Sequence, residues 1–290
     1  MAVLLVGDVK SMKLRKLRKE EHIRTRELWE QIFTEDSKEF LDYYYTVKTK
    51  DNEIYVIEDA EKIISMIHLN PFQMRVNDKI CQTHYIVAVA TDEKYRRQGL
   101  MAKLLNYVLQ LMKDRGEPFT FLMPASEAIY RPFGFEFIYE QIQGNVFGKK
   151  VQDNVEFLEA NEIDCENIAE YANGKLKEYD VVTVRDAAYY RMILKEQQSE
   201  KGGILIAKKQ QDIVGVFCYA REKELELREP IFDQTSILEH AVWYLCGEKD
   251  GNAICYGYGE NAKPMIMAKV LNPQDGIDLK NGKVFLNEVV

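Results

Sequence analysis

Apolar residues recur at helical spacing over Glu20–Phe33, where Ile23, Leu28, Trp29, Ile32 and Phe33 form one stripe, and a second helix is expected from Glu39 to Val47. The run before them, Met12–Leu17, lacks that spacing and reads as a first strand, which leaves residues 1–11 as an N-terminal extension. Glu53–Ile57 and Lys62–Ile67 are β-type runs on either side of the polar Asp59-Ala60-Glu61, the pattern of a hairpin. Tyr85–Ala90 is almost wholly apolar, as strands covered on both faces are, and predicts a central strand. Beyond the polar stretch Thr91–Gly99, Leu104, Leu105, Val108, Leu109 and Met112 lie on one side of an amphipathic helix over Leu100–Lys113. Phe119–Met123 supplies another strand, and the unit closes near Lys150.

The second half restarts the same order, with a strand at Val155–Leu158, helices at Asp164–Leu176 and Asp186–Leu194, and a hairpin opening at Gly203–Ala207. Glu61–Ile67 lines up locally with Gln211–Phe217, which points to a duplicated unit. In the copy, the segment Leu227–Asp233 runs into a helix near Ser236–Cys246 with no glycine and no paired arginines.

Composition narrows the class. A chain of 290 residues can hold two domains, each with its own core. With 46% hydrophobic and 30% charged residues it is a folding sequence rather than a disordered one. A net charge of −8 offers no general basic field for nucleic acid. No apolar run approaches the roughly 18 residues of a membrane span, and Ala2–Val6 is too short for a secretory core, so no membrane partner and a cytoplasmic address are expected. Five scattered cysteines without a CxxC pair read as reduced thiols, and no metal-ligand spacing occurs, so no metal is expected.

The candidate chemistry lies between residues 87 and 102. If Leu100 starts a helix, its first N–H groups have no intrahelical partners and the helix dipole adds positive potential, so this end suits an anion. Gly99 lets the backbone approach a ligand with no Cβ in the way, and Arg96 and Arg97 supply charge for phosphate oxygens. A pyrophosphate is the expected occupant; the alternative is a plain loop glycine beside a solvated arginine patch. Neither the P-loop pattern nor GxGxxG occurs, which removes both of those nucleotide readings.

Arg96-Arg97-Gln98-Gly99-Leu100-Met101 resembles the acetyl-coenzyme A loop of the GNAT superfamily of N-acetyltransferases, Arg/Gln-x-x-Gly-x-Gly/Ala after a central strand. It departs at Met101, which is expected to hold the loop slightly further from the pyrophosphate. Ser126-Glu127-Ala128-Ile129-Tyr130-Arg131-Pro132-Phe133-Gly134-Phe135 resembles a second signature, found in the Eis-like (enhanced intracellular survival) branch: Ser-Glu, then Ile-Tyr-x-x-Phe-Gly-Tyr/Phe. Proteins of that branch carry two tandem GNAT-type domains, the first with an intact coenzyme loop, and then a sterol-carrier-like domain. The resemblance implies an α/β protein with a mixed sheet, a catalytic GNAT domain at residues 12–150 and a degenerate second one at 151–290. The third domain is expected to be absent or reduced to a short tail from Met265.

By the same resemblance, backbone groups of Val89, Ala90 and Thr91 would bind the acetyl and pantetheine part. Arg97, Gln98, Gly99, Leu100, Met101 and Ala102 would cradle the pyrophosphate, with Arg96 adding charge. Tyr130 matches the family's general acid, since a phenol of ordinary pKa about 10 stays protonated at neutral pH and can donate to a departing thiolate. Read without the resemblance, it is a packing tyrosine. Ser126 matches a position near the coenzyme and is equally a helix N-cap. The chain's C-terminal carboxylate, here Val290, would serve as base. Glu35 and Asp36, with Tyr44 of the Tyr43-Tyr44-Tyr45 cluster, would offer charge and cation–π attraction to an amine, or else be caps and core tyrosines. Of the four histidines, His84 is the one placed near the cleft. The expected activity is transfer of acetyl from acetyl-coenzyme A to a primary amine of an aminoglycoside, polyamine or lysine-like acceptor by direct attack. The alternative is a non-catalytic acyl-coenzyme A-binding module, and a homo-oligomer is left open.

Overall fold

A computed structural model of the chain describes residues 12–151, 154–273, 276–279 and 282–286. Strand β1 (Lys13–Lys16) leads through a 3-10 turn at Lys19–Thr25 to helices α1 (Arg26–Ile32) and α2 (Lys38–Thr46). Next come β2 (Glu53–Asp59), β3 (Lys62–Val76), β4 (Lys79–Thr91), α3 (Leu100–Asp114), β5 (Phe119–Leu122), α4 (Glu127–Tyr130) and β6 (Glu136–Phe147). The second half runs β7 (Val155–Glu159), α5 (Cys165–Lys175), β8 (Val181–Thr183), α6 (Ala187–Ser199), β9 (Gly203–Lys209) and β10 (Asp212–Ala220). It ends with β11 (Glu226–Phe232), α7 (Thr235–Leu245), β12 (Asn252–Tyr256), β13 (Asn261–Val270) and β14 (Val284–Phe285).

The β2–β3 and β9–β10 hairpins carry the two aligned segments, and each turn uses left-handed backbone, at Ala60 and Glu61 in one and Gln210 in the other. The long sheet runs β1-β2-β3-β4-β5-β13-β6-β12-β11-β10-β9-β7, with β8 and β14 attached beside β3. Strand β13, from the second half, sits between β5 and β6, and β6, from the first half, sits between β13 and β12. Each half thus lends its last long strand to the other. The segment from Met265 is therefore no tail: Met265, Ile266, Met267 and Ala268 are buried in the middle of the sheet.

The cores follow from this arrangement. Helix α3 packs Leu104, Leu105, Val108 and Met112 on one face of the first unit's sheet, against Ile64, Ile67 and Ile86. On the other face Trp29, Phe40, Leu41 and Tyr44 cover Ile54, Val56, Met66 and Ala88. A further cluster draws on both halves, joining Phe72, Tyr85, Phe119 and Phe121 to Val181, Ile266 and Leu286. That cover explains why β3 and β4 extend far beyond the predicted Lys62–Ile67 and Tyr85–Ala90: β8 pairs with Met74–Val76, so the outer hairpin is no free edge. The predicted Glu20–Phe33 helix divides into a 3-10 turn and α1. Glu21 reaches back to accept from the Arg18 N–H at 3.0 Å and the Arg15 guanidinium at 2.8 Å, which ties the first turn to β1. All five cysteines are free thiols.

Candidate active site

Strands β4 and β5 are parallel and pair only at Tyr85↔Phe121 and Ile86↔Leu122. Beyond that point β5 stops while β4 continues to Thr91, so the sheet opens at this seam. Just past the last pair β4 carries a bulge: Met66 faces Ala90 and His68 faces Val87, so Ala88 and Val89 together oppose Ile67. Ala88 takes a left-handed φ of 52°, a strained conformation for a residue with a Cβ. The bulge withdraws backbone groups of Ala88 and Val89 from the ladder at the mouth of the opening. Ser65 Oγ fixes the strand end, donating to Ala90 O at 3.0 Å and lying 2.9 Å from Thr91 Oγ1. Val89, Ala90 and Thr91 are thus the last residues of β4, beyond the end of β5.

The loop after β4 is set by Asp92, whose carboxylate accepts from Lys94 N–H at 3.0 Å and from Lys62 Nζ at 2.6 Å. Arg97 (φ 63°) and Gly99 (φ 75°) are both left-handed, which turns the chain sharply into α3. A Cβ on Gly99 would meet no atom within 4 Å, so the glycine answers to backbone conformation and to open space in front of the helix. No side chain caps α3 and its first turn holds no acid, which leaves the leading N–H groups and the dipole available to an anion. Arg97, Gln98 and Gly99 are exposed there, while Arg96 is held by Thr91 O at 3.3 Å and Glu93 at 3.3 Å. Leu100 is buried, Ala102 half-buried, and Met101 packs on the α3 core, so its extra bulk is directed into the protein.

Tyr130 ends α4 and belongs to the buried cluster that also holds Leu100 and the last paired residues of β4 and β5, Ile86 and Leu122. It is 6% exposed and packs edge-on to Phe135 with ring centres 5.9 Å apart. Burial pushes its phenol up to about 12, so it holds its proton across the neutral range. Gly134 (φ 83°) turns the chain after it, and a Cβ there would lie 2.8 Å from Lys269 Nζ. Lys269, from β13, donates to Phe133 O at 2.6 Å and clamps this turn. Ser126 stands exposed at the N-cap position of α4 with extended backbone, and its hydroxyl makes no capping bond.

An acidic groove of about 280 Å³ opens beside Met123, directly after β5. Glu35 and Asp36 line it from the α1–α2 loop, and Glu200, Glu222 and Glu226 from the second unit, against the cations Lys223 and Arg228. Lys223 bonds Glu35 at 2.8 Å, and Arg228 donates to Glu200 at 2.7 Å and Glu226 at 3.1 Å. Asp36 accepts from Trp29 Nε1 at 2.7 Å, and burial raises its carboxyl. Sequence reading named the first-unit acids and missed those of the second unit, which stand at the end of α6 (Glu200), between β10 and β11 (Glu222) and at the start of β11 (Glu226), with no motif.

Tyr44 does not belong to this groove. It is wholly buried, its hydroxyl lies 3.1 Å from His68 Nδ1 and accepts from Asn52 at 3.1 Å, so it is a core tyrosine and not an acceptor contact. His84 is paired with Glu117 at 2.9 Å, a bond between β4 and the approach to β5. Val290 lies outside the described residues. Among the described residues no group of His, Cys, Asp and Glu is placed to hold a metal, and no helix is long and apolar enough to cross a membrane. In the second unit only Asp233 and Gln234 separate β11 from α7, so the counterpart of the Arg96–Gly99 loop is missing.

Residues 13–138 match the family model described as an acetyltransferase (GNAT) domain. No curated protein matches the chain. Among solved structures, it is similar to a probable N-acyltransferase of unknown function from Enterococcus faecalis V583, at TM-score 0.75 and 16% identity, over 91% of this chain and 74% of that one. It is also similar to Eis1 from Mycobacterium abscessus, at TM-score 0.66 and 11% identity, over 93% and 76% of the two chains. A tandem GNAT protein from the clavulanic acid biosynthesis pathway aligns at TM-score 0.60 and 10% identity, over 91% of this chain and 99% of that one. Residues 13–138 thus match a GNAT acetyltransferase domain, and the chain has the mixed α/β architecture shared with tandem GNAT proteins.

Proposed function

We propose that the protein is an N-acetyltransferase that moves acetyl from acetyl-coenzyme A to a primary amine carried by a cationic acceptor. The observation that carries this reading is the convergence, on one seam, of the β4 bulge, the uncapped α3 N-terminus behind Gly99, and the protonated Tyr130. In this reading Val89, Ala90 and Thr91 receive the thioester and pantetheine. Arg97 to Ala102 receive the pyrophosphate, with Arg96 at the rim. The amine nitrogen attacks the acyl carbon, the carbon–sulfur bond breaks, and Tyr130 gives its proton to the departing thiolate. The C-terminal carboxylate of Val290 remains the proposed base.

The acceptor is recognised by the groove between the units, where five carboxylates face two cations and both cations are already paired. That excess of negative charge suits a polyamine, aminoglycoside or lysine-like amine. We assign residues 12–150 to the catalytic unit and 151–290 to the second, which supplies β13 and half of the acceptor groove. The experiment is calorimetric binding of acetyl-coenzyme A to the wild type and to Gly99→Trp, followed by thiol release over a panel of amines. Binding lost in the variant, with thiol released in the presence of a cationic amine, supports the proposal. Binding without turnover on any amine would make the protein a coenzyme-binding module, and no binding would overturn the assignment of residues 96–102.

A further inference from the structure

The acidic groove already holds a primary amine. Lys223, on the connection between β10 and β11, lines it with the carboxylates, and its ammonium donates to Glu35 Oε2 at 2.8 Å. Among the described residues that line the groove it is the one primary amine, since the other cation, Arg228, is a guanidinium held by Glu200 at 2.7 Å and Glu226 at 3.1 Å. Lys223 and Glu35 come from different units, so their bond joins the two sides of the groove.

The bond to Glu35, with the charges of Glu222 and Glu226 nearby, raises the Lys223 ammonium above its ordinary pKa, so at rest it is protonated and parked. The parking is loose. The two side chains are 69% and 85% exposed, and an ion pair so open to water is screened and weak. The groove also takes in Met123, the residue directly after Leu122, where the pairing of β5 with β4 ends and the sheet opens. At about 280 Å³ it lies at the small end of ligand pockets, and the flexible four-carbon stem of a lysine lets an amine rooted in one wall cross it.

We propose that Lys223 is a self-acetylation site: the protein's own amine takes an acetyl group and thereby unplugs the groove for outside acceptors. This rests on the acetyltransferase reading above. The ammonium leaves Glu35 and gives a proton to water, and the neutral nitrogen attacks the acyl carbon of acetyl-coenzyme A. A carbon–nitrogen bond forms, the carbon–sulfur bond breaks, the thiolate takes the Tyr130 proton, and the proton shed by the new amide nitrogen restores the tyrosine. In sum, ammonium and thioester become amide and thiol, with one proton released to water. Acetylated Lys223 carries no charge, so Glu35 is freed and the carboxylates face Arg228 alone.

The test is peptide mass spectrometry of the full chain after incubation with isotope-labelled acetyl-coenzyme A. The expected result is an acetyl group on Lys223, gained at a first-order rate that is unchanged on dilution of the protein and rises about tenfold per pH unit below the lysine pKa, as the neutral amine does. Gly99→Trp should suppress it, and so should an excess of coenzyme A lacking its sulfur, a control that needs no variant to fold. After modification, KM for a dicationic amine should fall severalfold to the value of Lys223→Ala, whereas Lys223→Arg should keep the high value before and after incubation. Thiol released with an added amine while Lys223 stays unmodified would overturn the proposal and leave the acetyltransferase reading standing. No thiol released with any amine, and no acetyl on Lys223, would overturn both. Equal acetylation of Lys223 in the urea-unfolded chain would show plain chemical modification, and a rate that rises with protein concentration would show transfer between molecules; either would overturn the proposal.

Discussion

Replacing Tyr130 by Phe removes one oxygen from a ring that the fold already holds by its apolar face. The ring packs on Phe135 and within the α3 core, and its hydroxyl has no hydrogen-bond partner among the described residues, so Tyr130→Phe strands no donor or acceptor. The melting temperature should change little, in line with the about 1 kcal/mol or less expected when no partner is orphaned. Catalysis should respond differently. A positioned general acid contributes about 10²–10⁴-fold, equivalent to about 2.7–5.4 kcal/mol of barrier, and the whole of this is lost with the proton. The assay is thiol release in a single turnover with coenzyme and amine saturating, so that product release does not hide the chemical step.

Two controls sharpen the result. Coenzyme affinity should be unchanged, because in the proposed mechanism the hydroxyl acts on the leaving thiolate and not on the bound thioester. An acyl donor whose thiol is more acidic should recover much of the rate, since a better leaving group needs less proton donation. The phenol is held at about 12, so no basic limb due to Tyr130 should appear until the pH nears that value. A Phe variant within about tenfold of the wild type in single turnover would refute the assignment and return Tyr130 to a packing role.

The groove proposed for the acceptor makes its own prediction: Glu222→Gln should raise KM for dicationic amines severalfold, whereas Lys223→Ala, which releases Glu35, should lower it, and both effects should shrink as salt is added. Lys269→Met should lower kcat while leaving coenzyme affinity intact, because Lys269 acts by clamping the turn that follows Tyr130; rescue by Lys269→Arg would separate this from general damage. Above pH 10 the protein should lose stability steeply. Burial raises the phenols of Tyr43, Tyr44 and Tyr190, so the unfolded chain releases those protons near pH 10 while the folded one keeps them. The unfolded state then binds fewer protons, the slope of stability with pH is negative, and each phenol adds about 1.4 kcal/mol per pH unit, measurable by urea unfolding across that range.

Local pattern carried most of the first unit. The stripe Leu104–Met112 and the apolar run Tyr85–Ala90 have one reading each, helix and central strand, and both elements are present where that reading places them. The Gly99 loop was legible because its chemistry is backbone chemistry and depends on position more than on side chains. Tyr44 misled because a tyrosine in a helix next to acids looks alike whether it faces the core or a ligand; the difference is made by His68 and Asn52, on distant segments. Glu200 and Glu226 escaped notice for a related reason, since they reach the acidic groove only through the docking of the second unit. The β4 bulge was likewise invisible: it depends on register against β3, and one extra residue leaves no trace in an apolar run.

The exchange of strands decides what can be separated from what. Without residues 151–290, β5 would lose its β13 partner over Phe119–Leu122 and β6 would lose both neighbours, leaving one open edge on β5 and two on β6. Met265, Ile266 and Met267 would also leave the core, and at about 1.5–3 kcal/mol for each fully buried side chain that loss rivals the roughly 5–15 kcal/mol by which a domain is stable at all. The Lys269 clamp on Phe133 would go with them. A fragment of residues 12–150 holds every residue assigned to coenzyme binding and is nevertheless expected to aggregate or remain unfolded when expressed alone. Co-expression with residues 151–290 should restore both circular dichroism and coenzyme binding. A fragment that folded as a monomer and bound acetyl-coenzyme A like the full chain would show that β13 is an ornament of the first unit, and the catalytic seam would then owe nothing to its neighbour.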